Sequence, residues 1–479
     1  MIDRVATPRA AGLALTACLL GCGGPHEPAR PPPPTRLAVA RAADAGQAAP
    51  PPALPATAAA MPATSAGRQL AWLLGVLARG GQVDAAVLTA HFDPVFLAKR
   101  PPDKLAPALV QLAGHLAAMT VDAVSSSDDA LAVLRGAAPE GRFALAVRVD
   151  PATRLIVDLD VGPDIRAAPA ATMAEAIAAV SALAPRAQLL VAELDRGTCR
   201  PLYQLNPDAE LAIASAFKLY VLLGLTDRIL AGNAAWTDEV IVRDDWKSLP
   251  SGITQDDPAG TRLTVRTLAE RMISISDNTA ADILLYTVGR QHVEAAVRAA
   301  HHADPALDTP FLATRELFWL KMVAAPADVE RYLRLAPAPR RAFLDHLAGK
   351  RPEGRLAQFD DWTTPRHIDR IEWFASVADL CRLMAALWSR AQQPAAAPLL
   401  DVLGRNPGLS ADQVPAWSYA GFKGGSEPGV ATTTWLLRRR SDDRWFVVSL
   451  GLNGPAAIDE GAVLGAAHRV VDLLAAEAP

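Results

Sequence analysis

Three short segments contain the residue types that acyl transfer to a serine requires. In chain order they are Ser215-Ala216-Phe217-Lys218, Ser276-Asp277-Asn278 and Lys423-Gly424-Gly425. A serine hydroxyl is a weak nucleophile until a base removes its proton, and a lysine shielded from water can act as that base. The set therefore predicts a hydrolase that works through an acyl-serine intermediate.

Ser215 and Lys218 are predicted to share one face of a helix. Ser215 lies where the polar stretch 206–210 gives way to the apolar run 219–225, so it should open a buried helix. Residues at i and i+3 lie on the same side of a helix, which places the lysine amine beside the hydroxyl. A serine and a lysine at this spacing also occur by chance, so the pair gains weight from the other two segments. We expect Ser215 to be the nucleophile and Lys218 its base or base partner.

Ser276, Asp277 and Asn278 fall between two predicted helices, one ending near Ile273 and one beginning near Thr279. Residues of these three types are also favoured helix N-caps, so a purely structural role is an open alternative. As chemistry, Ser276 would relay a proton to the leaving group, while the Asn278 amide would hold the acyl side of the substrate. Asp277 is expected to fix the loop.

Lys423 lies in a predicted strand and is followed by Gly424 and Gly425. Glycines allow a substrate backbone to approach the strand, and the lysine could orient an anionic group. The alternative is a glycine-rich turn with an exposed lysine. The order of the three segments, each at a boundary between predicted elements, favours the catalytic interpretation.

The first 65 residues have the composition of a leader and a tether. Residues 1–22 carry Arg4 and Arg9, then an apolar run that ends at Cys22. The run is shorter than the roughly 20 residues that span a bilayer, so we expect a cleaved signal peptide with Cys22 as a lipidated residue; an ordinary secretory signal is the alternative. Residues 23–65 are rich in Ala and Pro and are predicted to be a disordered tether.

Two α+β domains are predicted beyond the tether. Residues 66–165 show helical patterns at 70–77 and 105–119, then four strand-like runs. Residues 166–479 show a helix, two strands, a helical middle, three strands near 418–450 and a last helix at 462–474. This order predicts an antiparallel sheet whose first and last strands are neighbours, flanked by helices, with a helical lobe inserted between them.

The composition limits which partners and cofactors the protein can be expected to bind. The net charge is −4, so no basic field is available for a nucleic acid, and a nucleic-acid partner is excluded. Behind the leader only Cys199 and Cys381 remain, which form either one disulfide or two buried thiols. No Cys/His cluster has metal-ligand spacing, and His301-His302 is interpreted as part of a polar turn, so no metal is expected.

Four longer stretches resemble the penicillin-recognising serine hydrolases, and among them the class A β-lactamases. They are 215–220, 272–279, 372–376 and 423–429. They look most like two-domain, cephalosporin-esterase-like proteins related to a member of the clavulanate cluster. The resemblance covers residues 66–475 and implies a cystatin-like, isomerase-like first domain before a β-lactamase-like domain.

The resemblance also implies roles for individual residues. Ser215, Lys218, Ser276 and Lys423 would be catalytic, and Asn278, Gly425 and Ser426 would contact the substrate. The backbone N–H groups of Ser215 and Ser426 would form the oxyanion hole. No metal or organic cofactor is implied.

Two positions depart from the class A pattern. The nearest candidate for the deacylating glutamate is Glu316, with Leu320 where that pattern has an asparagine. We expect Glu316 to pair with a basic neighbour or to cap a helix instead of acting as a base. Gly424 replaces a hydroxyl residue, for which Ser426 could compensate.

The sequence thus predicts an exported bacterial lipoprotein, anchored to the cell envelope, that hydrolyses β-lactam-like amides or esters. The alternatives are a D,D-peptidase and a non-hydrolytic lipoprotein that binds penicillin or cell wall.

Overall fold

A computed structural model describes residues 61–116, 120–126, 129–138, 141–165, 168–249, 251–346, 362–410 and 413–477. The predicted signal peptide, Cys22 and the tether up to residue 60 lie outside the described residues. Within these ranges, no helix has both the length and the apolar character that crossing a bilayer requires.

The described residues form two compact units. The first contains residues 61–136 and 145–160, and the second contains 137–144 and 161–477. The predicted boundary at 165/166 stays a prediction.

Helices precede strands in the N-terminal part of the chain, as the sequence predicts. The helices are α1 Ser65–Ala78, α2 Ala85–His91, α3 Pro94–Lys99 and α4 Pro102–Leu116. The strands are β1 Thr120–Ser126, β2 Leu131–Ala138, β3 Gly141–Val149 and β4 Ile156–Pro163, and they neighbour one another in chain order in one sheet. The sequence analysis did not find α2 and α3, because helices of 7 and 6 residues are too short for a periodic pattern.

The second unit contains the remaining elements. Its strands are β5 Arg186–Asp195, β6 Thr198–Leu205, β7 Leu211–Ala212, β8 Glu239–Ile241, β9 Arg262–Thr264, β10 Phe374–Ala375, β11 Trp417–Glu427, β12 Val430–Arg439 and β13 Trp445–Asn453. Its helices are α5 Met173–Ala182, α6 Lys218–Leu230, α7 Val265–Ser274, α8 Asn278–Val288, α9 Arg290–Ala299, α10 Thr314–Phe318, α11 Pro326–Arg334, α12 Pro337–His346, α13 Val377–Ala391, α14 Pro398–Leu403 and α15 Glu460–Ala476.

A five-stranded antiparallel sheet organises this unit, in the order β11-β12-β13-β5-β6. The first strand of the unit, β5, pairs with the last strand, β13, with Leu190 opposite Ser449. The predicted adjacency of first and last strands is therefore confirmed. The helical lobe lies in the chain between β6 and β11.

Both faces of the central strands β12, β13 and β5 are buried, which explains the continuous apolar runs in β5 and β13. In β5, Leu189 and Val191 join a core with α5 and α15, whereas Leu190 and Ala192 join a second core with the helical lobe. Because side chains alternate along a strand, one run supplies both cores.

Cys199 and Cys381 form a disulfide between β6 and α13. The sequence left open whether these residues pair, since it does not tell which helix covers β6. The bridge joins the edge strand of the sheet to the lobe.

Candidate active site

Ser215 lies in a 3₁₀ turn that leads directly into a buried α-helix, so the predicted helix is present and its first turn is tighter than an α-helical one. Ala214–Phe217 form a 3₁₀ turn, and α6 begins at Lys218. Side chains at i and i+3 eclipse in a 3₁₀ helix, and the Lys218 ammonium Nζ lies 3.0 Å from Ser215 Oγ. Ala214 has φ +43°, a left-handed conformation that costs a non-glycine residue about 1–2 kcal/mol.

Lys218 is fully buried, and its amine is surrounded by oxygen atoms. Besides Ser215 Oγ, its Nζ lies within hydrogen-bonding distance of Ser276 O at 2.6 Å, Ser276 Oγ at 3.0 Å and Asn278 Oδ1 at 2.6 Å, more oxygen atoms than it has protons to donate. The amine therefore connects two hydroxyl groups that are separated by about 60 positions in the chain. Both serines are half-buried.

The loop between α7 and α8 both caps a helix and places Ser276 beside Lys218. Asp277 is the N-cap of α8, because its Oδ1 accepts from Ala280 N at 2.8 Å. Its Oδ2 accepts from the backbone N–H groups of Ile253 and Thr254, each at 2.8 Å, and so fixes a second loop. The cap holds Ser276 at φ +56°, with its hydroxyl beside Lys218.

Gly252 and Ser251 support this loop, and the sequence analysis did not identify either. A Cβ at Gly252, where φ is +105°, would lie 2.3 Å from the Asp277 carboxyl carbon. Ser251 Oγ donates to Ser276 O at 2.7 Å, and Ser251 O accepts from Asn278 N. The adjacent serine and glycine were the only sequence signal, and they indicated no more than a turn.

Strand β11 brings the second lysine to the same hydroxyl. Lys423 is buried, and its Nζ donates to Ser276 Oγ at 3.0 Å and to the carbonyl of Gly424. The predicted exposed-lysine alternative is therefore wrong. Ser276 Oγ lies between the Nζ atoms of Lys218 and Lys423, which suits it to pass a proton or to face an anionic substrate group.

Gly425 packs against the turn that contains Ser215, and the predicted approach of a substrate backbone to it stays a prediction. A Cβ on Gly425 would lie 2.6 Å from Ser215 N and 2.4 Å from Ile213 O. Only glycine allows β11 to pass this close to the turn. The next residue, Ser426, is exposed and interacts with the Glu460 carboxyl, whose pKa is raised by burial.

The Glu316 carboxylate pairs with a basic neighbour and caps a helix, as predicted. Its carboxylate accepts from both terminal nitrogens of Arg290, at 2.6 and 3.0 Å, and from Ala313 N at 2.8 Å. Both residues are mostly buried. Leu320, at the position of the class A asparagine, is 1% exposed and packs in the core.

A buried network that the sequence did not indicate lies at the end of β11. Lys321 Nζ is 2.8 Å from Glu372 Oε1 and 2.6 Å from Glu427 Oε1. Burial, then the neighbouring Glu372, raises the pKa of Glu427.

Within the described residues, one group could be considered as metal ligands: Glu210, His302 and Asp379. Both ring nitrogens of His302 are engaged, one with Phe374 O and one with Asp304 N. Asp379 accepts from the backbone N–H groups of Ala303 and Ser376. These contacts are those of a structural cluster and leave His302 and Asp379 no unused ligand atom.

Residues 172–410 match the family model described as the beta-lactamase enzyme family. The C-terminal part of the chain has the β-lactamase fold. Residues 61–154 match a second model, described as the N-terminal part of the ORF 12 gene product. The comparison with curated proteins found no match.

Solved structures with this fold are similar to the chain at low sequence identity. A β-lactamase from Sphaerobacter thermophilus DSM 20745 is 20% identical, with a TM-score of 0.46, over 64% of this chain and 99% of that one. A β-lactamase from Chitinophaga pinensis DSM 2588 is 16% identical, with a TM-score of 0.43, over 63% and 97%. PBP-A is 16% identical, with a TM-score of 0.41, over 65% and 98%.

Proposed function

We propose that the protein is a serine hydrolase that forms an acyl-Ser215 intermediate with β-lactam-like amides or esters. One observation carries the proposal: the Lys218 amine lies 3.0 Å from both Ser215 Oγ and Ser276 Oγ, and Lys423 lies 3.0 Å from Ser276 Oγ. This is the arrangement of a nucleophile, its base and a proton relay.

The proposed acylation involves one proton transfer from Ser215 and one to the leaving group. Ser215 Oγ attacks the substrate carbonyl carbon while Lys218, in its neutral form, takes the hydroxyl proton. When the C–N or C–O bond breaks, the leaving atom takes a proton from Ser276, and Lys218 returns one to Ser276. The backbone N–H groups of Ser215 and Ser426 are the proposed donors to the oxyanion, a kind of contact worth about 3–4 kcal/mol each.

The proposed substrate class includes esters, because Gly424 brings no hydroxyl where β-lactam-recognising sites place one. We further propose that the protein is of the two-domain, cephalosporin-esterase-like type with a cystatin-like first domain. The match of residues 61–154 to an N-terminal domain model and the order of helices and strands there support two domains.

A long-lived acyl-enzyme is a second candidate, and the position of Glu316 favours it. Deacylation needs a group that activates water, and Glu316 is held by Arg290 and Ala313. Such a protein would act as a penicillin-binding protein or a slow D,D-peptidase.

One experiment separates these candidates. The purified protein and its Ser215→Ala variant are incubated with a fluorescent penicillin, nitrocefin, p-nitrophenyl acetate and a D-alanyl-D-alanine peptide. We expect turnover of a β-lactam or an ester that is absent in the variant. Stable stoichiometric labelling of Ser215 supports the second candidate, and no reaction with any probe contradicts both.

We also propose that the protein is exported and tethered to the envelope through a lipid on Cys22. The apolar run before Cys22 supports this, and so does the disulfide, since disulfides persist in oxidising compartments. The Cys22→Ser variant should move from the membrane fraction to the soluble fraction of lysed cells; equal membrane retention of both proteins would contradict the anchor.

A further inference from the structure

Lys321 is a buried ammonium group that links three separate segments. It belongs to the π-helical turn Trp319–Val323, Glu372 directly precedes Trp373, and Glu427 is the last residue of β11. The side chains of Lys321, Glu372 and Glu427 are 0%, 1% and 8% exposed. Burying charged groups is costly, so a network of this kind needs a structural or functional reason.

The Glu372 branch leads to one side of the nucleophile turn. Glu372 Oε2 accepts from Trp373 N at 3.0 Å, and Trp373 O accepts from Ile213 N at 2.9 Å. The Trp373 ring stacks on Phe217, with 3.7 Å between ring centroids. Ile213 and Phe217 lie two residues before and after Ser215.

The Glu427 branch leads to the other side of the same turn. Glu427 lies two residues after Gly425, whose backbone packs against Ser215 N. It directly follows Ser426, the second proposed oxyanion donor. A shift of the end of β11 would therefore change the distance between the Ser426 N–H donor and Ser215.

We propose that Lys321 is a positioning residue that holds β11 and the Trp373 segment together around Ser215. This inference rests on the proposed function for its effect on acylation. The Lys321 side chain is fully buried and its Nζ contacts Glu372 and Glu427, so its loss should affect the rate of acylation more than the affinity for the substrate. The network resides in tertiary contacts between positions 51 and 106 residues apart.

The test uses the full chain with Lys321→Met, and Lys104→Met as a control in the exposed part of α4. Saturation kinetics with a fluorescent penicillin give the acylation rate constant and the apparent dissociation constant separately. We expect Lys321→Met to lower the rate constant at least 10-fold and to change the dissociation constant less than 3-fold. Lys104→Met should resemble the unmodified protein.

Hydrogen–deuterium exchange provides a readout that does not need activity. Lys321→Met should increase exchange in peptides covering 211–217 and 420–427, while peptides of β5 and β13 stay protected. If the single variant does not fold, Lys321→Met combined with Glu372→Gln and Glu427→Gln removes all three ionisable groups and serves for both measurements.

The outcomes are distinguishable. A folded variant with unchanged exchange at 211–217 and 420–427, or with an unchanged acylation rate constant, overturns the role of Lys321. An unmodified protein that no probe acylates, together with increased exchange in Lys321→Met, overturns the proposed function but supports the positioning role.

Discussion

Glu316 is a buried carboxylate whose hydrogen-bond partners are already fixed by Arg290 and Ala313. Removing one partner of a buried ion pair typically costs about 3–5 kcal/mol. We therefore expect Glu316→Gln to lower the free energy of unfolding, measured in urea, by about 3 kcal/mol. The lifetime of any acyl-enzyme should stay within 3-fold of that of the unmodified protein. A lifetime more than 10-fold longer would identify Glu316 as a deacylating base and contradict its structural role.

Glu210 introduces a pH dependence of stability. Burial, followed by the nearby Asp379, raises its pKa from 4.5 to about 7. The folded state therefore binds its proton more tightly than the unfolded state, and the free energy of unfolding falls as the pH rises from about 4.5 to 7. Because the group is partly exposed, we expect a fall of about 1–2 kcal/mol.

Glu210→Gln isolates this contribution, since glutamine does not titrate. Urea unfolding at pH 4.5, 5.5 and 7 should show a weaker fall with pH in the variant than in the unmodified protein. Parallel curves for the two proteins would assign the pH dependence to other groups.

At the scale of elements, β11 and the Ser215 turn depend on the absence of a side chain at 425. In Gly425→Ala the new Cβ would lie 2.6 Å from Ser215 N, so the strand or the turn must move. Misplacing reacting groups by about 1 Å can cost about 100-fold in rate, and we expect at least this loss of acylation. Gly114→Ala is the control, because among the described residues no atom outside the adjacent helical backbone lies within 4 Å of the Cβ added there in α4. Normal acylation of Gly425→Ala would show that the turn can yield without cost.

At the scale of the whole molecule, the Cys199–Cys381 disulfide closes a loop with a sequence separation of 182 residues. Closing a loop of this length restricts the unfolded chain, and we expect the bridge to contribute about 3–5 kcal/mol. The Cys199→Ala/Cys381→Ala variant should unfold at correspondingly lower urea concentration. Adding reductant during urea unfolding should lower the stability of the unmodified protein but not that of the variant. If reductant leaves the unfolding curve of the unmodified protein unchanged, the bridge is absent.

The sequence alone predicted the longer helices, the central strands and the residue types of the candidate site. Apolar runs long enough to bury both faces predict β5, β12 and β13, and the change from a polar to an apolar stretch places a helix after Ser215. The candidate roles of Ser215, Lys218 and Ser276 were predicted from residue type and spacing, which need no coordinates. These are local properties, and local properties can be inferred from neighbouring residues.

Tertiary structure decided what depends on residues far apart in the chain. The direction of Glu316 toward Arg290, the pairing of Cys199 with Cys381 and the burial of Lys321 between two glutamates follow from how helices and strands pack. The close approach of Gly425 to Ser215 N arises for the same reason, while its contact with a substrate stays a prediction. A side chain reaches its partner only after the sheet and the lobe have come together, so the order of residues alone does not specify these contacts.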